Sequence, residues 1–259
     1  MITTKMGGVL PEQPDPTVFG RVLDVACGVG NWAIEAGQTY PTMSVVGVDI
    51  SQRMIGYAHM QAQAYQVSDR VEFHVMDALR PLDFPAASFD LVNLRFAVSF
   101  MRTWDWPKLL VELLRLTCPG GVVRVADSVL HLMSNSPALT QLFEMLQCAF
   151  YRAGHLFTQE PTGLVDHLER LLDQYGYDQV QVKTYALEYR AGTPEGEDFC
   201  EDMKLAFQTV RPFIQKWNCA RQDYDTVYQQ VLREMQQPDF YATWNVLMAW
   251  GSKPQSKSK

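Results

Sequence analysis

Arg21-Val22-Leu23-Asp24-Val25-Ala26-Cys27-Gly28-Val29-Gly30-Asn31 is the stretch on which the reading of this chain turns. Arg21–Ala26 is a short apolar run and reads as a buried strand, interrupted by one carboxylate, Asp24. Two glycines follow at the spacing Gly28-x-Gly30, and Asn31–Gln38 then reads as a helix. Glycines let backbone approach a ligand closely. The helix start beyond them offers free N–H groups and a partial positive charge. A strand, a glycine loop and a helix in this order predict a ligand site past the strand's carboxyl end.

The same alternation continues outward. Ser44–Asp49 reads as the second strand, Gln52–Tyr65 as a helix and Val71–Val75 as the third strand. Phe89–Leu94 reads as the fourth strand, after the turn Pro85-Ala86-Ala87-Ser88. Trp106–Thr117 has helical apolar spacing and is stopped by Pro119-Gly120-Gly121, with Val122–Ala126 as the fifth strand. Alternating strands and helices predict an α/β fold with a mostly parallel sheet.

The pattern changes after the fifth strand. Asn135-Ser136-Pro137 reads as a helix start, opening an apolar helix Ala138–Tyr151. A helix over Thr162–Tyr175 is stopped by Gly176, and Val180–Tyr189 alternates as a sixth strand. Thr193-Pro194 opens a helix to about Trp217, another runs from Asp223 to Gln236, and Phe240–Trp250 reads as the last strand. The expected organisation is an arm over residues 1–20 and one domain over 21–259. The arm, with Gly7, Gly8, Pro11, Pro14 and Pro16, is expected to be irregular. Helical inserts at about 130–160 and 193–237 are expected to project from the sheet as a lid.

Bulk composition narrows the partners. The chain has 259 residues, 47% of them hydrophobic, and a net charge of -7. An acidic chain without a Lys/Arg cluster weighs against nucleic acid and anionic membranes. The exception, Lys253, Lys257 and Lys259 near the end, reads as a solvated tail. The cysteines (27, 118, 148, 200 and 219) lack metal-ligand spacing, so no metal is expected. Several lie in apolar runs and read as buried free thiols, which fits a reducing, cytoplasmic setting. Residues 1–20 lack the apolar segment of a signal peptide, and no run is long enough to span a membrane.

The glycine loop alone is ambiguous. Gly28-x-Gly30-x-x-Ala33, with Asp49 further on, also fits a dinucleotide fingerprint. Asp24 argues the other way. A carboxylate inside the first strand suits a cationic amine, not a pyrophosphate, and S-adenosylmethionine carries an amine, a sulfonium and no phosphate. Asp49 ends the second strand, where it can accept both ribose hydroxyl protons, and Ile50 can cover an adenine face. Asp77, after the third strand, can accept from the adenine amino group. Three carboxylates at the ends of consecutive strands make a constellation, although each alone is also a common helix cap.

On these residues the chain resembles the class I (Rossmann-like) S-adenosylmethionine-dependent methyltransferases. Val22–Gly30 is similar to their first motif; Asp49, Asp77, Phe89-Asp90-Leu91-Val92-Asn93 and Leu113–Gly121 are similar to later ones. The resemblance covers about residues 18–127 well and the rest only in element order. It implies a seven-stranded sheet with an antiparallel last strand and helices on both faces. It also implies a donor site lined by Asp24, Ala26, Gly28, Asp49, Ile50, Asp77, Ala78 and Asn93, the last mainly through backbone; Cys27, Gly30, Met54 and Arg95 are further residues expected at that site.

The family reaction is a direct displacement at the sulfonium methyl, with S-adenosylhomocysteine as product. Alignment of the reactants is the protein's main task. Many relatives place a His pair shortly after the fourth strand; here the residues are Arg95-Phe96-Ala97-Val98-Ser99-Phe100-Met101. Arg95 is a candidate for the donor carboxylate or an acidic acceptor group. Candidate bases are His155, Tyr151, Asp127 and His131. Aromatic residues of the inserts (Phe143, Phe150, Tyr151, Phe157, Phe199, Phe207, Phe213, Trp217) suit either a lid core or an apolar pocket. The expected acceptor is a small, largely apolar natural-product intermediate. Alternatives are a lipid or quinone precursor, a non-methylating relative that keeps the donor site, and an NAD-linked oxidoreductase. A homo-oligomer stays open.

Overall fold

The computed structural model describes residues 2–220 and 224–255. Lys257, Lys259 and the expected helix start at Asp223 lie outside the described residues. The elements alternate as the apolar periodicities dictate. They are α1 (Ile2–Met6), β1 (Arg21–Val25), α2 (Asn31–Thr39), β2 (Ser44–Asp49), α3 (Gln52–Ala64), β3 (Val71–Val75), β4 (Phe89–Arg95) and α4 (Trp106–Leu116). There follow β5 (Thr117–Ser134), α5 (Pro137–Arg152), α6 (Val165–Gln174), β6 (Asp178–Arg190), α7 (Pro194–Lys216), α8 (Tyr224–Glu234) and β7 (Tyr241–Ser252).

The strands form one seven-stranded sheet in the order β3-β2-β1-β4-β5-β7-β6. β1 pairs in parallel with both β2 and β4, so the strand order reverses at β1. A crevice opens past the carboxyl ends of strands at such a point. β7 runs antiparallel to both β5 and β6, as expected for the last strand. On one face α4 and α6 bury Trp106, Leu109, Leu113, Leu168 and Leu172 against β1, β4 and β5. On the other, α2 and α3 cover β1–β3 through Trp32, Ala33, Ile55 and Ala58, with Phe73 of β3 in the same core.

Three expectations are corrected. β5 is longer than Val122–Ala126 because the twelve-residue β7 supplies a partner along it. Pairing even recruits the Pro119-Gly120-Gly121 turn: the Gly120 N–H donates to the Lys253 carbonyl, and the Lys253 N–H to that of Gly121, both at 2.8 Å.

The arm is not irregular throughout. It begins with α1 and buries Met6, Val9, Leu10 and Phe19. The Trp32 indole N–H donates to the Val9 carbonyl at 3.1 Å, and the Lys5 ammonium lies 5.2 Å from the Tyr189 ring centre. Four unevenly spaced apolar residues among glycines and prolines carry no periodicity, so their docking leaves no local signal.

Cys148 and Cys219 are joined in a disulfide, whereas Cys27, Cys118 and Cys200 are free. The bond ties α5 to the turn after α7. Those helices do not project separately. With α1 and α8 they bury Leu139, Leu142, Phe143, Phe199, Phe207, Tyr224 and Val227 against Leu187 and Tyr189 of β6. Among the described residues, no helix is long and apolar enough to cross a membrane.

Candidate functional site

The loop after β1 takes the backbone that its glycines permit. Gly28 and Gly30 have φ of 57° and 78°, and Ala26 joins them at 55°. A left-handed residue with a Cβ is strained and is held only by surrounding structure. Here the Cys27 N–H donates to the Val48 carbonyl at 2.9 Å, and the Gly30 N–H to that of Cys27 at 3.0 Å. At Gly30 an added Cβ would lie 2.5 Å from the Phe73 ring, so close packing as well as dihedral freedom requires glycine.

Two adjoining cavities, about 350 and 300 Å³, open at this loop. The first is lined by Asp24, Ala26, Cys27, Gly28, Asp49 and Arg95, with Val29, Asn31, Phe96, Ser99 and Phe100. The second is lined by Ala26, Asp49, Ile50, Met76, Asp77, Ala78, Leu79 and Phe100. Ala26, Asp49 and Phe100 belong to both, which makes one continuous groove across the ends of β1, β2, β3 and β4.

Each acid in the groove has a distinct state. Asp49 is braced by backbone: its Oδ2 accepts the Gly28 N–H at 3.0 Å and its Oδ1 accepts the Ser51 N–H at 2.8 Å. Asp77 accepts the Leu79 N–H at 2.9 Å and pairs with Arg80 at 3.3 Å. Both keep unused acceptor capacity on the carboxylate. Asp24 is buried, and burial raises its pKa to about 6 against the lowering pull of Arg95, Asn93 and Arg124. Its Oδ1 accepts the Asn93 amide at 2.6 Å, whereas Oδ2 has no partner. Arg95 is half-buried, with its Nε enclosed and unpartnered; desolvation lowers its pKa while Asp24 raises it. A buried polar atom without a partner is costly unless a ligand satisfies it.

Of the residues expected at the donor site, Asp24, Ala26, Cys27, Gly28, Asp49, Ile50, Asp77, Ala78 and Arg95 line the groove. Gly30, Met54 and Asn93 do not. Gly30 caps α2, and Met54 is exposed on α3. Asn93 is fully buried beneath Asp24. Residues missed by sequence reasoning are Val29, Asn31, Met76, Leu79, Phe96, Ser99 and Phe100. Phe96 has φ of 54° and stacks on Trp244 with ring centres 6.0 Å apart, a pairing across strands that no local motif announces.

None of the four candidate bases lines the groove. Asp127 accepts the Val98 and Ser128 N–H groups, each at 2.9 Å, and so anchors the turn Ala97–Ser99 below Phe96 and Phe100. Burial raises its pKa to about 7. His155 is buried edge-on to Phe150 and Phe213, and burial lowers its pKa to about 4. His131 points out from β5 into solvent, and Tyr151 is exposed on α5. The insert aromatics Phe143, Phe150, Phe199 and Phe207 are core.

Residues 22–121, which span β1 to the start of β5, match a family model described as a methyltransferase domain. A demethylmenaquinone methyltransferase of Deinococcus radiodurans is 42% identical over 101 residues, covering 39% of this chain and 40% of that protein. A 27-O-demethylrifamycin SV methyltransferase of Amycolatopsis mediterranei is 26% identical over 253 residues, covering 98% of this chain and 78% of that protein. Phosphoethanolamine N-methyltransferase 2 of Haemonchus contortus, solved with S-adenosyl-L-methionine, shares the fold at a TM-score of 0.58. It is 21% identical, over 97% of this chain and 52% of that one. With the strand order and the motifs of β1 to β4, these likenesses show a methyltransferase domain over residues 22–121, carried on a seven-stranded, Rossmann-like fold.

Proposed function

We propose that the chain transfers a methyl group from S-adenosylmethionine to a small organic acceptor. The observation that carries this reading is Asp24: a buried carboxylate at the end of β1 with one oxygen unpartnered beside the groove. An ammonium group satisfies it by charge-assisted hydrogen bonding; a pyrophosphate is repelled by it. Arg95, the neighbouring half-buried cation, has a free Nε for a carboxylate. The two orphaned groups thus match the two charged ends of an amino acid. Asp49 takes the ribose hydroxyls, Asp77 the adenine amine, and Ile50 and Leu79 the faces of the base.

S-adenosylmethionine, when bound, supplies a methyl group already activated on a sulfonium. The residues of this chain then hold the donor's ends, exclude water and orient the acceptor. Phe96 and Phe100 wall the groove on the β4 side and give it an apolar surface. The side chains lining the groove include three carboxylates, one arginine and Cys27, whose thiol burial pushes up. With Asp24, Asp49 and Asp77 committed to the donor, the acceptor enters as a nucleophile that needs no protein base, or that gives its proton to water.

The acceptor class follows from the apolar wall, the acidic chain and the relatives' chemistry. Two relatives act, by name, on demethylmenaquinone and 27-O-demethylrifamycin SV, a quinone and a natural product. A natural-product intermediate is the first choice, because the rifamycin relative aligns along nearly the whole chain. The chain spans only 40% of the length of the Deinococcus relative, and a quinone precursor is the second choice.

Two experiments test the reading. Calorimetric titration with S-adenosylmethionine and with NAD distinguishes the donors, and binding of NAD alone would sink the proposal. Labelled-methyl transfer is then measured across demethylated quinones and hydroxylated macrocycles. Donor binding with no transfer to any acceptor would favour a non-methylating relative.

A further inference from the structure

Behind Asp24 lies a buried polar chain with no counterpart in the loop motif. Asn93 Nδ2 donates to Asp24 Oδ1 at 2.6 Å. Arg124 Nη1 of β5 donates to Asn93 Oδ1, also at 2.6 Å. Arg124 Nε in turn stands 2.9 Å from Glu12 Oε1 in the N-terminal arm, and the two side chains are 2% and 0% exposed. The arm makes a second contact in the same place. Trp32, whose indole donates to Val9, has the Arg124 guanidinium 5.5 Å and that of Arg95 5.9 Å from its ring centre.

From this geometry we infer that Glu12 and Arg124 are positioning residues for the donor site, acting on Asp24 through Asn93. The inference rests on Asp24 being the donor's ammonium acceptor. A guanidinium only donates. Arg124 therefore fixes which end of the Asn93 amide faces it, and the opposite end, the NH2, faces Asp24. That leaves Asp24 Oδ1 occupied and Oδ2 free for the ligand. Glu12 holds Arg124 in place and balances its charge, so that Arg124 does not draw Asp24 away from an incoming cation. The residues 1–20 are then part of the donor site although none of them lines it.

The charges acting on Asp24 are Arg95, Arg124 and Asp49. Donor binding requires the ionised carboxylate, so affinity rises as pH rises through the Asp24 titration. Removing Arg124 takes away a positive charge and moves that midpoint to higher pH. Removing Glu12 leaves the positive charge unbalanced and moves it to lower pH. Damage to the fold alone weakens binding at every pH and shifts neither midpoint.

The test is calorimetric binding of S-adenosylhomocysteine between about pH 5 and pH 8 for wild type, Glu12→Gln, Arg124→Met and the double variant. The double variant removes both charges and avoids leaving one buried alone, which is the arrangement most damaging to folding. Expected are opposite midpoint shifts in the single variants, and affinity about three- to tenfold weaker at pH 8 for Arg124→Met and the double variant, the scale of one lost hydrogen bond. The double variant's midpoint returns toward wild type. Unchanged midpoints and affinities in folded variants would overturn the inference while leaving the donor site intact. Failure of wild type to bind the probe would overturn the donor-site reading itself, and the inference with it.

Discussion

Asp49 Oδ2 accepts the backbone N–H of Gly28 at 3.0 Å, so the carboxylate that ends β2 also shapes the glycine loop after β1. Its second oxygen takes the Ser51 N–H and so sets the entry to α3. One side chain thus braces two strand ends and faces the groove between them. Asp49→Ala is expected to weaken S-adenosylhomocysteine binding by about 1–3 kcal/mol, from lost ribose contacts and a loosened loop together. Asp49→Asn keeps the shape but turns one N–H toward a backbone N–H, and is expected to fall between. Titration calorimetry reads both, and an unchanged dissociation constant in Asp49→Ala shows that the ribose lies elsewhere.

Gly30→Ala tests the loop from the other side. The residue has φ of 78° and its added Cβ meets the Phe73 ring at 2.5 Å. Strain at φ and overpacking each cost on the order of 1–3 kcal/mol. The melting temperature of the variant falls. Adding Phe73→Leu recovers the steric part only. Full recovery in that double variant, read by thermal melting, would show that the left-handed backbone carries no cost of its own.

The sheet was legible because each strand and helix announces itself locally: the β-branched run Val45-Val46, the apolar Val22, Leu23 and Val25, Pro at the start of α5 and α7, Gly176 after α6. The carboxylates at the strand ends were legible for the same reason. What was not legible depends on partners far apart in the chain. Glu12 meets Arg124 across 112 positions, and Trp244 stacks on Phe96 from the other end of the domain. His155 looked like a candidate base because residue type alone does not reveal that Phe150 and Phe213 enclose it.

His155 is therefore predicted to matter for stability and not for chemistry. It is folded as a neutral ring, its pKa lowered from 6.5 to about 4 by burial. A base with a lowered folded pKa loses stability as pH falls from the unfolded value toward the folded one, because the unfolded chain takes up the proton first. Against the opposite pull of the buried acids, the His155 contribution to thermal stability, read as the difference between wild-type and His155→Gln melts, should decline between about pH 6.5 and pH 4. His155→Gln is expected to leave kcat within about twofold, far from the loss expected for removing a general base. A hundredfold fall in kcat with an unchanged fold would restore His155 as a base.

Asp127 has the opposite sign. Burial raises its pKa from 3.8 to about 7, so the folded chain holds the proton more tightly than the unfolded one. Its contribution to stability is complete below the unfolded value and is lost as pH rises through about 7. Asp127→Asn removes this dependence. It also turns an amide N–H toward the Val98 or Ser128 N–H, at a cost of about 1–3 kcal/mol. The expected result is a lower but flatter melting profile from pH 4 to pH 8, with weaker donor binding because Phe96 and Phe100 lose the anchored turn between them. A profile parallel to wild type would mean that Asp127 does not titrate in this range.

The pair Cys148 and Cys219 carries the last prediction. The bond closes a loop of sequence separation 71 and ties α5 to the end of α7. Cross-links of that span stabilise by about 2–4 kcal/mol, chiefly by restricting the unfolded chain. Cys148→Ser with Cys219→Ser is expected to lower the melting temperature, and reductant should do the same to wild type but not to the variant. Alkylation of denatured, unreduced protein should label Cys27, Cys118 and Cys200 and spare the other two. Because these helices pack on the β6–β7 side and not on the groove, donor affinity should stay the same in the oxidised, reduced and serine forms. Label on all five cysteines without reductant would refute the bond. A change in donor affinity on reduction would instead show that the helical layer couples to the groove.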